Sequence, residues 1–430
     1  MENFCINPAR ATWQELLKRP VLENRSLEET VSAILAAVKE QGDSAVINYT
    51  AQFDGVALTS LQVTEAEFAQ AESLVSDELK QAIDIARNNI YKFHFAQAEQ
   101  PQQVETMDGV LCWRKSVPIQ KVGLYIPGGT APLISTLLML VIPDKIAGCK
   151  EIVVCTPCDK SGKVNSVVLY VAGLIGLETV FKIGGVQAIG AMAYGTETVP
   201  QVFKIFGPGN QYVTTAKQLV NKDGMSIDMP AGPSEVAVYA DKSSNPVFVA
   251  ADLLSQAEHG SDSQVLLVAS SVEILEKVQV EIENQLPGLS RKDLAAAALQ
   301  HSRFIVIPDV ADAFDLLNEY AAEHLIIASD AAIELSKRVV NAGSIFLGHY
   351  SPESVGDYAS GTNHTLPTNG YAKAYSGVSL DSFFKKITLQ QLTATGLKNI
   401  GTAVEIMAEA EGLTAHKNAV TVRLKALSNS

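Results

Sequence analysis

Basic residues are in short supply in this 430-residue chain, where 33 lysines and arginines face 47 aspartates and glutamates, a formal net charge of −14. That balance repels phosphate backbones and anionic membrane surfaces, so nucleic acid and membrane are excluded as expected partners. Cysteine is also scarce. The five thiols (Cys5, Cys112, Cys149, Cys155 and Cys158) are too few, and odd in number, for a disulfide framework in a chain of this length. The opening MENFCINPARATW lacks a basic segment followed by an apolar one, so no secretory leader is read and a cytoplasmic location is expected. One uncharged run, from Val122 to Pro143, has the length of a membrane span. Pro127, Pro132 and Pro143, with Gly128 and Gly129, break it into a strand, a loop and a short helix, which reads as a buried β-α unit. Repeats, low-complexity tracts and a Walker A loop are missing as well.

What is present is an ordinary globular composition, 47% apolar and 19% charged, long enough for about three domains at about 150 residues each. Helical signals fill the first hundred residues. Ser26 with Glu29 reads as a capping box before a helix whose Val31, Ile34, Leu35 and Val38 share a face. Thr64 with Glu67 repeats the signature and opens a helical run towards Ala96. After about Leu111 short apolar strands alternate with helical stretches: VGLYIPG, EIVVCTP, TVFKIGG and VFKIFGPG. A second series follows MPAGPSE: EVAVYA, QVLLVAS, RFIVIP, HLIIAS and SIFLG. Such alternation is the pattern of parallel sheets covered on both faces, so two tandem doubly wound α/β domains are expected. The expected division is an arm over 1–20, a first domain with its helical part over 21–232, a second over 233–376, and a helical C-terminal segment over 377–430. That last segment is too small to form a core alone and must dock elsewhere.

Three kinds of residue could carry chemistry. Glycines cluster at Gly128-Gly129, Gly184-Gly185 and Gly207-Pro208-Gly209-Asn210, each at the carboxyl end of an expected strand, where open α/β sheets bind ligands. The last resembles a dinucleotide turn with Tyr212 in place of the third glycine; tight strand-to-helix turns explain any one cluster equally well. Cys155-Thr-Pro-Cys158 has no second pair at zinc-ribbon spacing and reads as structural, as do Cys112 and Cys149. Four histidines lie in unusual polar settings: His259, His324, His364 and His416. Gln256 and His259 are three apart at a helix end, and Asp357 lies in the loop GDYASGTNH; together these donors suit Zn²⁺, although Q-x-x-H is commonly a solvated helix end. Glu323 beside His324 suits a general base tuned towards neutral pH, or a histidine compensating a helix dipole. His94, His301 and His349 read as structural.

The strings VGLYIPGGTAPLISTLLML, KIFGPGNQYVTTAK, IDMPAGPSEV, DLLSQAEHG, AAEHLII, NAGSIFLG, SVGDYASGTNHTLPT and EGLTAHKNAV resemble the histidinol dehydrogenase family, in family order from about residue 20 to 425. The resemblance implies a zinc-dependent enzyme oxidising L-histidinol to L-histidine through L-histidinaldehyde with two NAD⁺. It also implies incomplete Rossmann-like domains and a homodimer whose C-terminal segments complete each other's active sites. Carried over by position, Gln256, His259, Asp357 and His416 would bind the metal, the last from the other subunit. Glu323 and His324 would be the acid–base pair. Ser234, His364 and Glu411 would join the metal set and His324 around the substrate, and Tyr125, Gln187 and Asn210 would contact NAD⁺. A related zinc- and NAD-dependent dehydrogenase acting on another small hydroxy compound is the alternative. A zinc hydrolase and a non-catalytic binding protein are more distant rivals.

Overall fold

The computed structural model describes residues 4–20, 25–128, 133–177 and 179–428. Gly129 and Pro132, which divide the uncharged run in the sequence, lie outside the described residues. Two parallel sheets organise the chain. The first runs Val180–Phe181, Glu151–Cys155, Lys121–Tyr125, Lys204–Phe206, Ser226–Ile227 from edge to edge. Numbered by chain position, that is 3-2-1-4-5, the doubly wound order with its crossover point beside the central strand. The second sheet repeats the order with Arg303–Val306, Gln264–Ala269, Glu235–Ala240, His324–Ala328 and Ser344–Leu347. The N-terminal strand Phe4–Ile6 adds a sixth, parallel member beside Arg303–Val306, and Trp13 and Leu17 sink into the same core. The central strands are buried throughout because helices cover both faces, which is why they read as continuous apolar runs.

The helical N-terminal part packs on the first sheet. Val31, Ile34, Leu35 and Val38 are buried, and Gly190 of helix Gly185–Tyr194 lets that helix approach Val38 and Leu35 closely. Ser26 lies inside helix Arg25–Gln41 rather than at its cap, since the helix already includes Arg25. The Thr64 box forms as expected, with its side chain and that of Glu67 bonding reciprocally. The run it opens is two helices, Glu65–Leu74 and Asp77–Phe95, because Ser76 is extended and caps the second through Leu79 N at 3.3 Å.

A third, antiparallel sheet joins Gln103–Met107, Val110–Pro118 and Phe384–Leu392. The C-terminal segment therefore passes from a short 3₁₀ helix, Leu380–Phe383, into a strand before its α-helices. Its partner lies some 270 residues upstream, a pairing that local periodicity does not reveal. Stacking of Phe383 on Phe206, 4.4 Å between ring centroids, fixes this segment to the first domain. Helices Ala394–Ala410 and Thr414–Ser428 follow, packed on each other through Gly401 and Leu424, and the second buries none of its residues. No helix of the described residues is long and apolar enough to cross a membrane.

Candidate active site

Doubly wound sheets bind ligands at the carboxyl ends of their strands, and a cavity of about 920 Å³ lies there on the first sheet. Tyr125 ends the central strand, Gly184 and Gly185 follow the edge strand, and Gly207–Asn210 follows Lys204–Phe206. Tyr125, Gln187 and Asn210 all line the cavity. The Tyr125 hydroxyl accepts from Gly185 N at 3.1 Å, and burial pushes its pKa up to about 12. Gln187 is buried, its Oε1 without a hydrogen-bond partner among the described residues. Asn210 caps helix Gln211–Lys222, its Oδ1 accepting from Tyr212 N at 3.0 Å and Val213 N at 3.1 Å. Gly207 takes φ +127°, and a Cβ there would sit 2.1 Å from Tyr125 O, so this turn requires glycine.

A second constellation lies at the opposite, amino edge of the second sheet. Glu323 and His324 begin one strand and Glu235 begins its neighbour, with His324 in register with Val236. Helix Pro246–Ala257 runs back antiparallel to the strands, which returns Gln256 to that edge. Glu323 Oε2 accepts from Glu235 N at 2.9 Å, and the Gln256 amide nitrogen lies 3.4 Å away. Turning that amide lets its nitrogen donate to Glu353 at 2.7 Å while its oxygen accepts from Glu235 N at 3.0 Å, which satisfies both ends. His324 Nδ1 lies 3.2 Å from the Glu235 carbonyl, which can only accept, so Nδ1 carries the hydrogen. Nε2 is left as the atom able to take a proton. It faces Asp357 Oδ1 at 3.3 Å but is not aligned for a hydrogen bond.

Burial and like charge set the electrostatics. Burial pushes the Glu323 carboxyl up to about 7, against the lowering effect of His324. Burial alone would lower His324, but Glu323, Asp357 and Glu353 outweigh it and raise the imidazole to about 10. Asp357 falls below its usual range despite burial because His324 faces it. His259 keeps one side open to solvent, yet the dense protein around it lowers its pKa. His364 is lowered by burial; its Nδ1 lies 3.0 Å from Asp357 O, and its Nε2 2.8 Å from Thr136 Oγ1. Thr136 belongs to the first domain, as does Met139, whose carbonyl accepts from Asn363 at 2.6 Å. The cluster thus sits in the seam between the two α/β halves. Ser234 stands at its edge, one residue before Glu235.

The chain brings Gln256, Glu323, His324, Asp357, His259 and His364 together. Glu411 and His416 lie elsewhere, exposed at and beyond the end of helix Ala394–Ala410. Among the described residues no group of three or more His, Cys, Asp or Glu is arranged to hold a metal. By donor chemistry, the Gln256 amide, the His259 imidazole and the Asp357 carboxylate are residue types that Zn²⁺ takes as mixed N/O ligands. No hydrogen bond occupies the His259 ring nitrogens among the described residues, and a tetrahedral shell would lack one donor.

Glu353 was missed from sequence. It is buried, pushed up to about 8 by burial and the nearby Asp357, Glu323 and Asp252, and lies four residues before Asp357 on one short helix. That i, i+4 spacing was the available signal. Cys155 is buried and Cys158 lines the first cavity; burial raises both thiols.

The family model described as histidinol dehydrogenase matches residues 17–424. A histidinol dehydrogenase of Bacteroides thetaiotaomicron is 59% identical over 420 residues, 98% of each chain. One from Aliivibrio fischeri is 51% identical over 427 residues, 97% of this chain and 96% of that one. A crystal structure of histidinol dehydrogenase from Elizabethkingia anophelis superimposes with TM-score 0.97 at 54% identity, over 100% of this chain and 99% of the other.

Proposed function

The chain belongs to the histidinol dehydrogenase family, oxidoreductases of histidine biosynthesis, and on that premise we propose that it oxidises L-histidinol to L-histidine in two NAD⁺-linked steps through L-histidinaldehyde. The observation that carries the reading is the seam cluster. The buried pair Glu323 and His324 stands beside the Asp357 carboxylate, 3.3 Å from His324 Nε2, and a cavity of about 920 Å³ lies at the strand ends of the other domain.

When bound, Zn²⁺ would anchor and orient the imidazole and amine of the amino alcohol, and NAD⁺ would accept hydride. Gln256, His259 and Asp357 would hold the metal, with His416 of the second subunit of a homodimer as fourth donor. His324, its Nδ1 fixed by the Glu235 carbonyl, would take the carbinol proton at Nε2 after shedding the proton that Glu323, Asp357 and Glu353 favour there. The neighbouring carboxylates of Asp357 and Glu323 stabilise the imidazolium that results. Glu323, buried and poised near neutrality, then removes a proton from the water that hydrates the aldehyde. His364, Ser234 and Glu411 of the second subunit would frame the substrate, while Tyr125, Gln187 and Asn210 would hold NAD⁺. Five free thiols support a reducing, cytoplasmic site of action.

The division of labour is tested with Glu323→Gln and His324→Ala, each assayed separately with L-histidinol and with L-histidinaldehyde. Glutamine keeps an oxygen for Glu235 N, so that variant should retain alcohol oxidation and lose aldehyde oxidation. The alanine variant should lose both. Equal loss of both steps in Glu323→Gln would refute the assignment.

A further inference from the structure

The cavity on the first sheet holds one acidic group that neither the fold nor the site chemistry accounts for. In doubly wound domains the carboxylate that reads the adenosine ribose sits just beyond the strand next to the central one. Here that position belongs to Asp159, whose Oδ1 is engaged in closing its own turn, accepting from Ser161 N at 2.8 Å, Ser161 Oγ at 2.6 Å and Lys163 N at 3.0 Å. Asp54, at the end of helix Asp43–Phe53, reaches the same cavity from the helical N-terminal part. Its carboxylate is close enough to Cys158 and Tyr125 to act on both electrostatically, which places it beside the loop that follows strand Glu151–Cys155. Asp54 Oδ2 is buried without a hydrogen-bond partner among the described residues. An unmet buried acceptor costs free energy unless a ligand donor meets it. Burial accordingly raises the Asp54 carboxyl above its usual range.

We propose that Asp54 is the ribose reader of this cavity, its carboxylate accepting the two adenosine ribose hydroxyls and so selecting NAD⁺ over its 2′-phosphorylated form. A carboxylate only accepts, which suits a diol that donates twice, and it sets negative charge against a 2′-phosphate. Lys160 and Lys163 line the same cavity. Without the Asp54 charge, a 2′-phosphate would meet ammonium groups unopposed. The inference rests on the reading of this cavity as the dinucleotide site, and its test separates the two.

Full-length protein, wild type and the Asp54→Asn and Asp54→Ser variants, is titrated calorimetrically with NAD⁺ and with NADP⁺. Thermal melting checks that each variant is folded. Wild type should prefer NAD⁺ by about a hundredfold, and Asp54→Ser should lose about tenfold to a hundredfold in NAD⁺ affinity. Its preference should shrink to within about tenfold. Asp54→Asn, isosteric and uncharged, should fall between. Folded variants with wild-type affinity and preference would overturn the role of Asp54 while leaving the cavity as the dinucleotide site. A wild-type protein that binds neither dinucleotide would overturn the cavity reading and the Asp54 inference together.

Discussion

Beneath the Gly207 turn lies a buried ion pair whose loss should be felt in both stability and cofactor binding. Lys217 Nζ and Asp228 Oδ1 are 2.5 Å apart, with side chains 5% and 1% exposed. The same two side chains clamp the glycine: Lys217 Nζ donates to Gly207 O at 2.8 Å, and Asp228 Oδ2 accepts from Gly207 N at 2.9 Å. Lys217→Met removes two charge-assisted bonds worth about 1.5–3 kcal/mol each. It also leaves an uncompensated buried carboxylate, a class of change that costs about 3–5 kcal/mol. The Lys217→Met/Asp228→Leu pair removes both charges, so most of that loss should return, to within about 1–2 kcal/mol of wild type. Gly207 would still lack both clamps, so the KM for NAD⁺ should stay raised in the double variant. Urea unfolding and steady-state kinetics read the two effects separately. A single variant costing less than about 1 kcal/mol would refute the reasoning, as would a double variant no more stable than the single.

Asp144 is fully buried, and burial raises its carboxyl pKa from 3.8 to about 7 against the lowering effects of Cys149 and Lys145. The folded state therefore binds more protons than the unfolded between those values, so this group lowers stability as pH rises from about 4 to about 7. Asp144→Asn should stabilise the protein at pH 8 by up to about 3–4 kcal/mol and by nothing near pH 4; a pH-independent gain would contradict the sign. His416→Ala and His259→Ala proteins should each be inactive. On subunit mixing they should regain activity, because one mixed site in two carries all four metal donors; no recovery after demonstrated exchange would exclude a shared site. Gly207→Ala should abolish NAD⁺ binding while leaving the second domain folded, read by dinucleotide titration and circular dichroism, since its Cβ would collide with Tyr125 O.

The sequence reveals the two sheets because doubly covered parallel strands appear as uninterrupted apolar runs, as in EVAVYA and QVLLVAS, separated by helical stretches. Thr64 and Glu67 announce their helix because the capping box is a local hydrogen-bond device. The third sheet escapes such a reading: Phe384–Leu392 is mostly exposed and gains its partner from Val110–Pro118, far away in the chain. The site edge is equally hidden. Strand-end logic directs attention to carboxyl ends, which finds the cavity at Tyr125, whereas Glu323 and His324 occupy the amino edge of their sheet. Only the antiparallel return of helix Pro246–Ala257 brings Gln256 there. Glu353 and Asp54 look like ordinary surface acids in sequence; one buried carboxylate oxygen on each, without a partner among the described residues, distinguishes them, a property of the fold alone.

The central claim is that one protein performs two NAD⁺-linked oxidations at a metal-dependent site. Its most direct test is the yield of NADH per L-histidinol consumed, measured on purified protein as isolated, after chelation, and after Zn²⁺ is restored. The account predicts close to two NADH per histidinol, with histidine as product, activity lost on chelation and recovered with Zn²⁺. A yield of one NADH with aldehyde accumulating, or full activity in chelated protein, would contradict it.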